Sequence, residues 1–324
     1  MAEYHHIKPR ASPEDFNCWE FIEEGEVGNV MFRATLPDQL NDITLSCRGR
    51  SVGYLVEGET SVKDEDLVDS VDPFFFDSGY TSAGRTGFQI WAGSRLILET
   101  LLYSKANDNS HIVTLQEKIR NGAKIIELGS GVGLVGICLA AVGGEVILTD
   151  LKTLVDNAIQ YNLALNETKN EACDRISPRW MDNSKPVQIG CGWAGAKALD
   201  WTRPIEEQLS AHMYKDVDII IASDCVWLKS MLDSLLDTAA SIFSSCLNAK
   251  SKPILLMSFQ RRDTKEKGEN TMFTTVDSVV EAMKQRDWVV KCISWRSVNI
   301  NDRDSSKEVY LFQASPLKYE NKSN

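Results

Sequence analysis

The chain has 324 residues, of which 43% are hydrophobic and 25% are charged, and its formal net charge is −11. This composition is that of an ordinary globular protein, and the length allows one large domain with an appended region, or two domains. The acidic excess disfavours nucleic acid as a partner and favours a basic partner such as a lysine-bearing protein, although excess acid also simply keeps proteins soluble.

Cysteine spacing argues against a zinc-binding protein, and hydropathy argues against a membrane or secreted protein. The eight cysteines are scattered and show no CxxC or Cys/His spacing of the zinc type, so we expect no metal and free thiols. The sequence has no apolar run of 18 or more residues, and residues 1–6 are polar and unlike a signal peptide. We therefore expect a soluble monomer without membrane contact, located in the cytoplasm, with a nuclear location also open.

The first 86 residues carry little periodic signal and are interpreted as an N-terminal extension. Residues 43–47 and 52–56 predict two short strands around a turn. Residues 57–71 are acidic and polar, which is typical of a surface loop. An apolar stripe then predicts a helix over residues 91–102, and Trp91 at its start is either a core residue or part of a ligand site.

Residues 124–150 organise the chain as a βαβ unit. A short β-branched strand runs into glycines at 129, 131, 133 and 136, an apolar helix follows, and a second strand ends at Asp150. Glycines at the end of a strand let the backbone approach a ligand closely, and the following helix offers free N–H donors. An acid at the end of the next strand can accept hydrogen bonds from both ribose hydroxyls. The unit therefore predicts a nucleoside-containing cofactor.

Two later segments supply further candidates at strand ends. The third strand lies somewhere in residues 187–201, and Trp201 at its end could lie against an adenine ring while Asp200 bonds the adenine amino group. A strong buried strand over residues 216–222 is followed by Ser223, Asp224 and Trp227. The switch-point rule places these residues near the reactive centre, although Asp224 could instead simply cap the following helix.

The remaining elements complete an α/β fold. Residues 228–247 predict a helix, 253–259 a strand, 271–285 a helix, and 288–295 and 308–314 two strands with no helix between them. Consecutive strands of this kind pair antiparallel. We therefore predict a Rossmann-like sheet of seven mostly parallel strands with a C-terminal antiparallel hairpin, over residues 87–316, followed by a polar tail at 317–324.

These motifs resemble those of the family-16 seven-strand protein-lysine methyltransferases, which modify chaperones, elongation factors and other non-histone proteins. The resemblance spans roughly residues 87–314. It rests on Gly87 with Trp91, on the sequence ELGSGVGLVG at 127–136, on Asp150, on segments 199–201 and 223–227, and on segments 259–262 and 308–311. It departs from the family pattern at Trp227, where the family has tyrosine, and at Thr202, where it has glycine.

The resemblance implies S-adenosyl-L-methionine as cofactor and a protein lysine, on a chaperone or translation factor, as acceptor. The implied cofactor-binding residues are Trp91, Glu127, Gly129, Ser130, Gly131, Gly133, Asp150, Trp201 and Ser223. The implied catalytic residues are Asp224, which would orient the amine, and Trp227, whose ring would face it.

Three other functions remain open at this point. The same scaffold could methylate a small molecule or another nitrogen, because Trp227 replaces the tyrosine. It could also be a non-catalytic cofactor-binding module. The pattern GxGxxG at 131–136 by itself also fits a dinucleotide enzyme.

Overall fold

The structure, a computed structural model, places an eight-stranded sheet between helices. It describes residues 9, 20–23, 29–35, 42–48, 87–88, 90–103, 110–168, 177–246, 252–261, 274–298 and 307–319. The strands are β1 (Glu20–Glu23), β2 (Asn29–Thr35), β3 (Asp42–Arg48), β4 (Lys124–Leu128), β5 (Glu145–Asp150), β6 (Val187–Ile189), β7 (Gly192–Ala198), β8 (Ile219–Ser223), β9 (Ile254–Gln260), β10 (Trp288–Val298) and β11 (Lys307–Pro316).

Helices connect most of the central strands. They are α1 (Ala92–Leu102), α2 (Ser110–Arg120), α3 (Leu134–Ala141), α4 (Lys152–Leu154), α5 (Gln160–Leu165), α6 (Lys229–Ser245) and α7 (Val276–Lys284). A π-helical stretch, Val155–Ile159, joins α4 to α5, so the helix predicted after Asp150 is present with one wider turn inside it. Helix α2 was not predicted from the sequence.

The order of strands in the main sheet is β10-β11-β9-β8-β4-β5-β7-β6. Strands β7, β5, β4, β8 and β9 run parallel, whereas β11 pairs antiparallel with both β9 and β10. The predicted fold class, a Rossmann-like parallel sheet closed by an antiparallel hairpin, is confirmed. The sheet has one strand beyond the predicted seven, because β6 forms a short hairpin with β7 at the edge of the sheet.

Apolar side chains cover both faces of this sheet. In β4, Ile125 packs in the cluster that contains α1 and α3, and Ile126 packs in the cluster that contains α6 and α7. All residues of β8 are buried. Burial on both faces is the reason why the central strands read as continuous apolar runs rather than alternating ones. Helices on both faces leave the strand ends as the place where polar residues can meet a ligand.

The N-terminal region contains a second, three-stranded antiparallel sheet in the order β1-β2-β3. The strand predicted at residues 43–47 corresponds to β3, which pairs with β2 in register over its whole length. Strands β1 and β2 were not predicted. The strand predicted at 52–56 and the acidic loop predicted at 57–71 lie outside the described residues.

Two predicted boundaries were wrong for local reasons. The strand predicted from Asp216 begins only at Ile219, because Asp216 has a left-handed backbone with φ of 61° and forms a turn. The last helix begins at Val276 rather than near residue 271, because Thr275 and Ser278 form a capping box that stabilises the first turn.

Neither a membrane span nor a metal cluster is found in the part of the chain that the structure describes. None of the helices there has both the length and the hydropathy needed to cross a bilayer. The described His, Cys, Asp and Glu side chains form no group of three or more that could hold a metal ion. No disulfide links the cysteines at 138, 191, 225, 246 and 292.

Candidate active site

A cleft of about 880 Å³, including its open mouth, lies at the carboxyl ends of β4, β5, β7 and β8. This is where ligands bind in open parallel sheets. Nine of the eleven predicted site residues line it: Trp91, Gly129, Ser130, Gly131, Asp150, Trp201, Ser223, Asp224 and Trp227. Glu127 and Gly133 do not line it.

The turn after β4 brings the backbone close to Asp150. Gly129 and Gly131 have left-handed backbones, with φ of 71° and 56°. The Gly131 N–H donates to one Asp150 carboxylate oxygen at 2.8 Å, and the Leu151 N–H donates to the other at 2.7 Å. Burial raises the pKa of the Asp150 carboxyl to about 6. Each oxygen of Asp150 therefore has one backbone partner and can still accept a hydroxyl.

Glu127 lies beneath this turn rather than in the cleft. Its side chain is 1% exposed, and its carboxylate accepts the Gly136 N–H of α3 at 3.1 Å. Burial raises the pKa of the Glu127 carboxyl to about 8, so the group is largely neutral at pH 7. The structure thus shows Glu127 joining β4 to α3, outside the lining of the cleft.

Glu127→Gln should flatten the pH dependence of stability. The Glu127 pKa is near 4.5 in the unfolded chain and about 8 in the folded one, so the folded state holds one more proton between these values. Stability from this group is complete below pH 4.5 and is lost as pH rises through 8. Between pH 6 and 8, urea unfolding of the native chain should lose about 1.4 kcal/mol per pH unit more than that of the glutamine variant. Glu117→Gln, on the exposed side of α2, is the control and should retain the native slope.

Gly133 also lies outside the cleft and serves the start of α3. It is the N-cap of the helix, with φ of 88°. A Cβ atom there would lie 2.9 Å from the Leu148 side chain. Only glycine is therefore compatible with the backbone conformation at position 133 and with the packing of α3 on β5.

Trp201 forms one wall of the cleft over the glycine turn. A Cβ on Gly129 would lie 2.9 Å from the Trp201 ring and 2.7 Å from Cys225, so only glycine lets these groups meet. The Trp201 Nε1 atom is buried and has no hydrogen-bond partner among the described residues. Asp200 also lines the cleft, and one of its carboxylate oxygens accepts the Thr202 N–H and hydroxyl.

Asp224 has a strained backbone at the end of β8. Its φ is 50°, a left-handed conformation that costs free energy for any residue with a Cβ and that is concentrated at functional sites. Its side chain is 2% exposed, and its Oδ1 accepts the Gln260 N–H at 3.1 Å. Helix α1 packs so closely that a Cβ on Gly93 would lie 2.6 Å from the Asp224 Cβ.

The alternative role of Asp224, capping the next helix, is wrong. Helix α6 starts at Lys229, and its N-cap is Leu228, which makes no side-chain capping bond. The left-handed turn instead directs Asp224 toward β9. Its carboxylate is thus held at the cleft by a backbone donor of the neighbouring strand.

Three further candidates, two tryptophans and one serine, also line the cleft. Trp227 lines the cleft, and its backbone carbonyl accepts the Thr274 N–H at 2.9 Å. Trp91 lies just before α1 as its N-cap in an extended conformation, rather than inside the helix. The Ser223 and Ser94 hydroxyls are 2.9 Å apart, which joins the end of β8 to α1.

Several lining residues were not singled out as site candidates from the sequence. They are Gly87, Leu151, Leu154, Leu199, Thr202, Cys225, Ser230, Met231 and Ser234. Leu151, Leu199 and Cys225 lie within two residues of the ends of β5, β7 and β8, so their positions carried the signal. Burial raises the pKa of the Cys225 thiol well above its usual value, so this side chain is a neutral part of the wall rather than a nucleophile.

Comparisons with known proteins agree with this geometry. The family model described as lysine methyltransferase matches residues 78–190 and 192–279. The protein-lysine N-methyltransferase EFM6 of Saccharomyces cerevisiae is 27% identical over 196 residues, which are 56% of this chain and 66% of that protein. The protein-lysine N-methyltransferase rrg1 of Schizosaccharomyces pombe is 29% identical over 44% of this chain and 37% of its own length.

A third relative is the calmodulin-lysine N-methyltransferase of Arabidopsis thaliana, which is 31% identical over 45% of this chain and 40% of its own length. The chain thus spans less than two thirds of the length of each of these three relatives. The family model, in contrast, matches more than half of the chain and includes β4, β5, β7, β8 and the cleft between them. The chain belongs to the lysine methyltransferase family.

Proposed function

We propose that this chain transfers a methyl group from S-adenosyl-L-methionine to a lysine side-chain amine of a non-histone protein. The observation that carries the proposal is one cleft that joins the glycine turn and Asp150 to the buried carboxylate of Asp224 and the ring of Trp227. The glycine turn and Asp150 suit a nucleoside cofactor, and Asp224 and Trp227 suit a cationic acceptor.

The residues of the cleft fit S-adenosyl-L-methionine, the cofactor of this family. The left-handed glycines leave no Cβ between the turn and the Trp201 ring. The Trp201 Nε1, buried and without a partner among the described residues, can donate to a ligand acceptor. Asp150 can accept the two ribose hydroxyls. When bound, the cofactor supplies an electrophilic methyl group on a positively charged sulfur.

The other residues act on the acceptor amine. A lysine amine has a pKa of about 10.4, so only on the order of one in 10³ is neutral at pH 7. We assign to Asp224 the tasks of accepting a hydrogen bond from the amine, aiming its lone pair at the methyl carbon, and passing its proton toward water. Transfer would require the amine nitrogen in line with the methyl group and the sulfur that it leaves, so alignment of the amine by Asp224 would be the main contribution of the site. Trp227 offers a ring face to the ammonium, worth roughly 0.5–2 kcal/mol.

Relatives support a protein as the acceptor. EFM6 and rrg1 are described as protein-lysine methyltransferases, and the Arabidopsis relative as acting on calmodulin. The net charge of −11 favours a basic acceptor surface. We propose a chaperone or translation factor as substrate and the cytoplasm as the location.

The test is incubation of the purified chain with tritiated S-adenosyl-L-methionine and a cell lysate, followed by mass spectrometry. Label should enter discrete protein bands, and the modified residue should be lysine. Label confined to the small-molecule fraction would favour the alternative of a small-molecule methyltransferase. Calorimetry with S-adenosylhomocysteine distinguishes an inactive binding module, which binds without transfer, from a protein that does not bind the cofactor at all.

Cofactor affinity should fall at low pH because of Asp150. Its pKa is about 6 in the cofactor-free protein, and the ionised form accepts hydroxyl hydrogen bonds better. The dissociation constant of S-adenosylhomocysteine should therefore be nearly constant above pH 7 and should rise by up to about tenfold per pH unit below 6. Asp150→Asn should bind more weakly at pH 8 and show no such rise. A rise of equal slope in the asparagine variant would assign the effect to another group.

A further inference from the structure

Two motifs of the family resemblance, at residues 259–262 and 308–311, have no role in the cleft as described so far. The structure brings them together. Strand β9 ends and β11 begins at the edge of the sheet where the cleft opens, and Gln260 pairs antiparallel with Val309. The residues that follow and precede this pair, Arg261 and Glu308, are therefore neighbours just beyond the acceptor end of the cleft.

Arg261 and Glu308 are joined by two bonds. The Arg261 N–H donates to the Glu308 backbone oxygen at 2.8 Å, and the Arg261 Nη1 lies 3.3 Å from the Glu308 carboxylate. Both side chains are partly shielded from solvent, with exposures of 20% and 29%. Shielding of this degree makes a charged pair stronger than a fully exposed one. The pair therefore holds the C-terminal end of β9 against the N-terminal end of β11.

Tyr310 fixes the direction of the Glu308 carboxylate. Its hydroxyl donates to the same Glu308 oxygen that Arg261 contacts. Tyr310 is 3% exposed, and its ring stacks with Trp295, with centroids 5.9 Å apart, and with Phe312, with centroids 6.0 Å apart. A buried ring with two stacked aromatic neighbours is held in one rotamer, so its hydroxyl is a fixed donor.

The end of β9 in turn holds Asp224. The Gln260 N–H that donates to the Asp224 Oδ1 belongs to the residue directly before Arg261. Strand ends open more readily than strand centres, and a donor that moves by a fraction of an ångström changes the direction of the carboxylate it holds. The bonds between Arg261 and Glu308 suppress that opening.

We propose that Glu308 is a positioning residue for Asp224, acting through Arg261 and the Gln260 N–H, and this inference rests on the proposed role of Asp224 in methyl transfer. Glu308 does not line the cleft. It sets the position of the Asp224 carboxylate relative to the acceptor amine. This role accounts for both motifs, residues 259–262 and residues 308–311.

Glu308→Gln tests the proposal in the 324-residue chain, because it removes the carboxylate charge that pairs with Arg261 while keeping the size of the side chain. Lys307→Gln is the control, since it changes one charge on the same strand with the side chain on the opposite face. Two measurements are made on each variant. One is amide proton exchange of Gln260 by NMR, and the other is methyl transfer with separate kcat, KM and cofactor dissociation constant.

For Glu308→Gln we expect Gln260 exchange about tenfold faster than in the control and kcat about tenfold lower. The KM for the protein substrate and the dissociation constant of S-adenosylhomocysteine should stay within about twofold. Tyr310→Phe keeps the stacked ring and removes only the hydroxyl. It should show smaller changes of Gln260 exchange and kcat in the same directions, and it replaces the glutamine variant in the test if that variant does not fold.

Unchanged Gln260 exchange in both variants would overturn the inference. So would a loss of cofactor affinity equal to the loss of kcat, because that is the result of general loosening. If the native chain itself transfers no methyl group, the proposed function fails, while the exchange measurement still decides whether Glu308 holds the end of β9.

Discussion

Asp224→Asn should reduce methyl transfer by about 10²–10⁴-fold and leave the dissociation constant of S-adenosylhomocysteine within about threefold. Asparagine tolerates the left-handed backbone that Asp224 adopts, with φ of 50°, and its amide oxygen can still accept the Gln260 N–H. The variant therefore removes the charge and the ability to take a proton without disturbing the turn. Single-turnover transfer of tritium and calorimetry measure the two effects separately.

Asp216→Asn is the matched control for this experiment. Asp216 also has a left-handed backbone, with φ of 61°, but it is exposed and precedes β8, whereas Asp224 follows that strand. The control should retain native turnover and native cofactor binding. If Asp224→Asn kept full activity, Asp224 would be removed from the mechanism, and a parallel loss of cofactor affinity would assign it to cofactor binding instead.

Gly131→Ala should weaken S-adenosylhomocysteine binding by at least about 100-fold. The residue has φ of 56°, and a Cβ atom would lie 2.7 Å from the Gly87 carbonyl oxygen, a backbone atom that cannot move alone. The turn must open, and the Gly131 N–H then loses Asp150, its acceptor at 2.8 Å. The glycine turn and the orientation of the Asp150 carboxylate, which would accept the ribose hydroxyls, then change together. Calorimetry measures the loss, and circular dichroism checks that the sheet is intact.

Gly122→Ala separates conformational strain from loss of the site. Gly122 has φ of 85°, but the nearest atom to an added Cβ is a Glu145 oxygen at 4.0 Å, far enough for ordinary contact. This variant should lose about 1–2 kcal/mol of stability from the left-handed backbone and bind cofactor normally. Equal loss of binding in the two variants would contradict the close approach at Gly131.

Much of the fold was predictable because central strands and glycine turns leave local signals. Strands β4, β5, β8 and β9 are apolar runs of five to seven residues, and burial on both faces produces such runs in sequence. Strand β6, helix α2 and strands β1 and β2 were not predicted. Strand β6 has three residues, and so short a segment carries no periodic signal.

The candidate site was predictable to the extent that it lies at strand ends. The glycines at 129 and 131, Asp150, Trp201, Asp224 and Trp227 come together because the carboxyl ends of parallel strands share one edge of the sheet, whereas Trp91 reaches the cleft from the start of α1. Glu127 and Gly133 belong to the same motif in the sequence, yet the structure places them beneath the turn. A motif cannot tell which of its residues face the ligand and which support the turn.

By itself the sequence determined the class of the sheet, the position of the glycine turn and the residues at the strand ends. Strands and turns depend on residues that are neighbours in the chain, and the topology of a parallel sheet then places the strand ends together. Only the tertiary structure decided how the site is held together. The bond from Gln260 to Asp224 and the pair of Arg261 and Glu308 join residues 36 and 47 positions apart. Such contacts depend on register between strands and on side-chain direction, and neither is encoded in any short stretch of the chain.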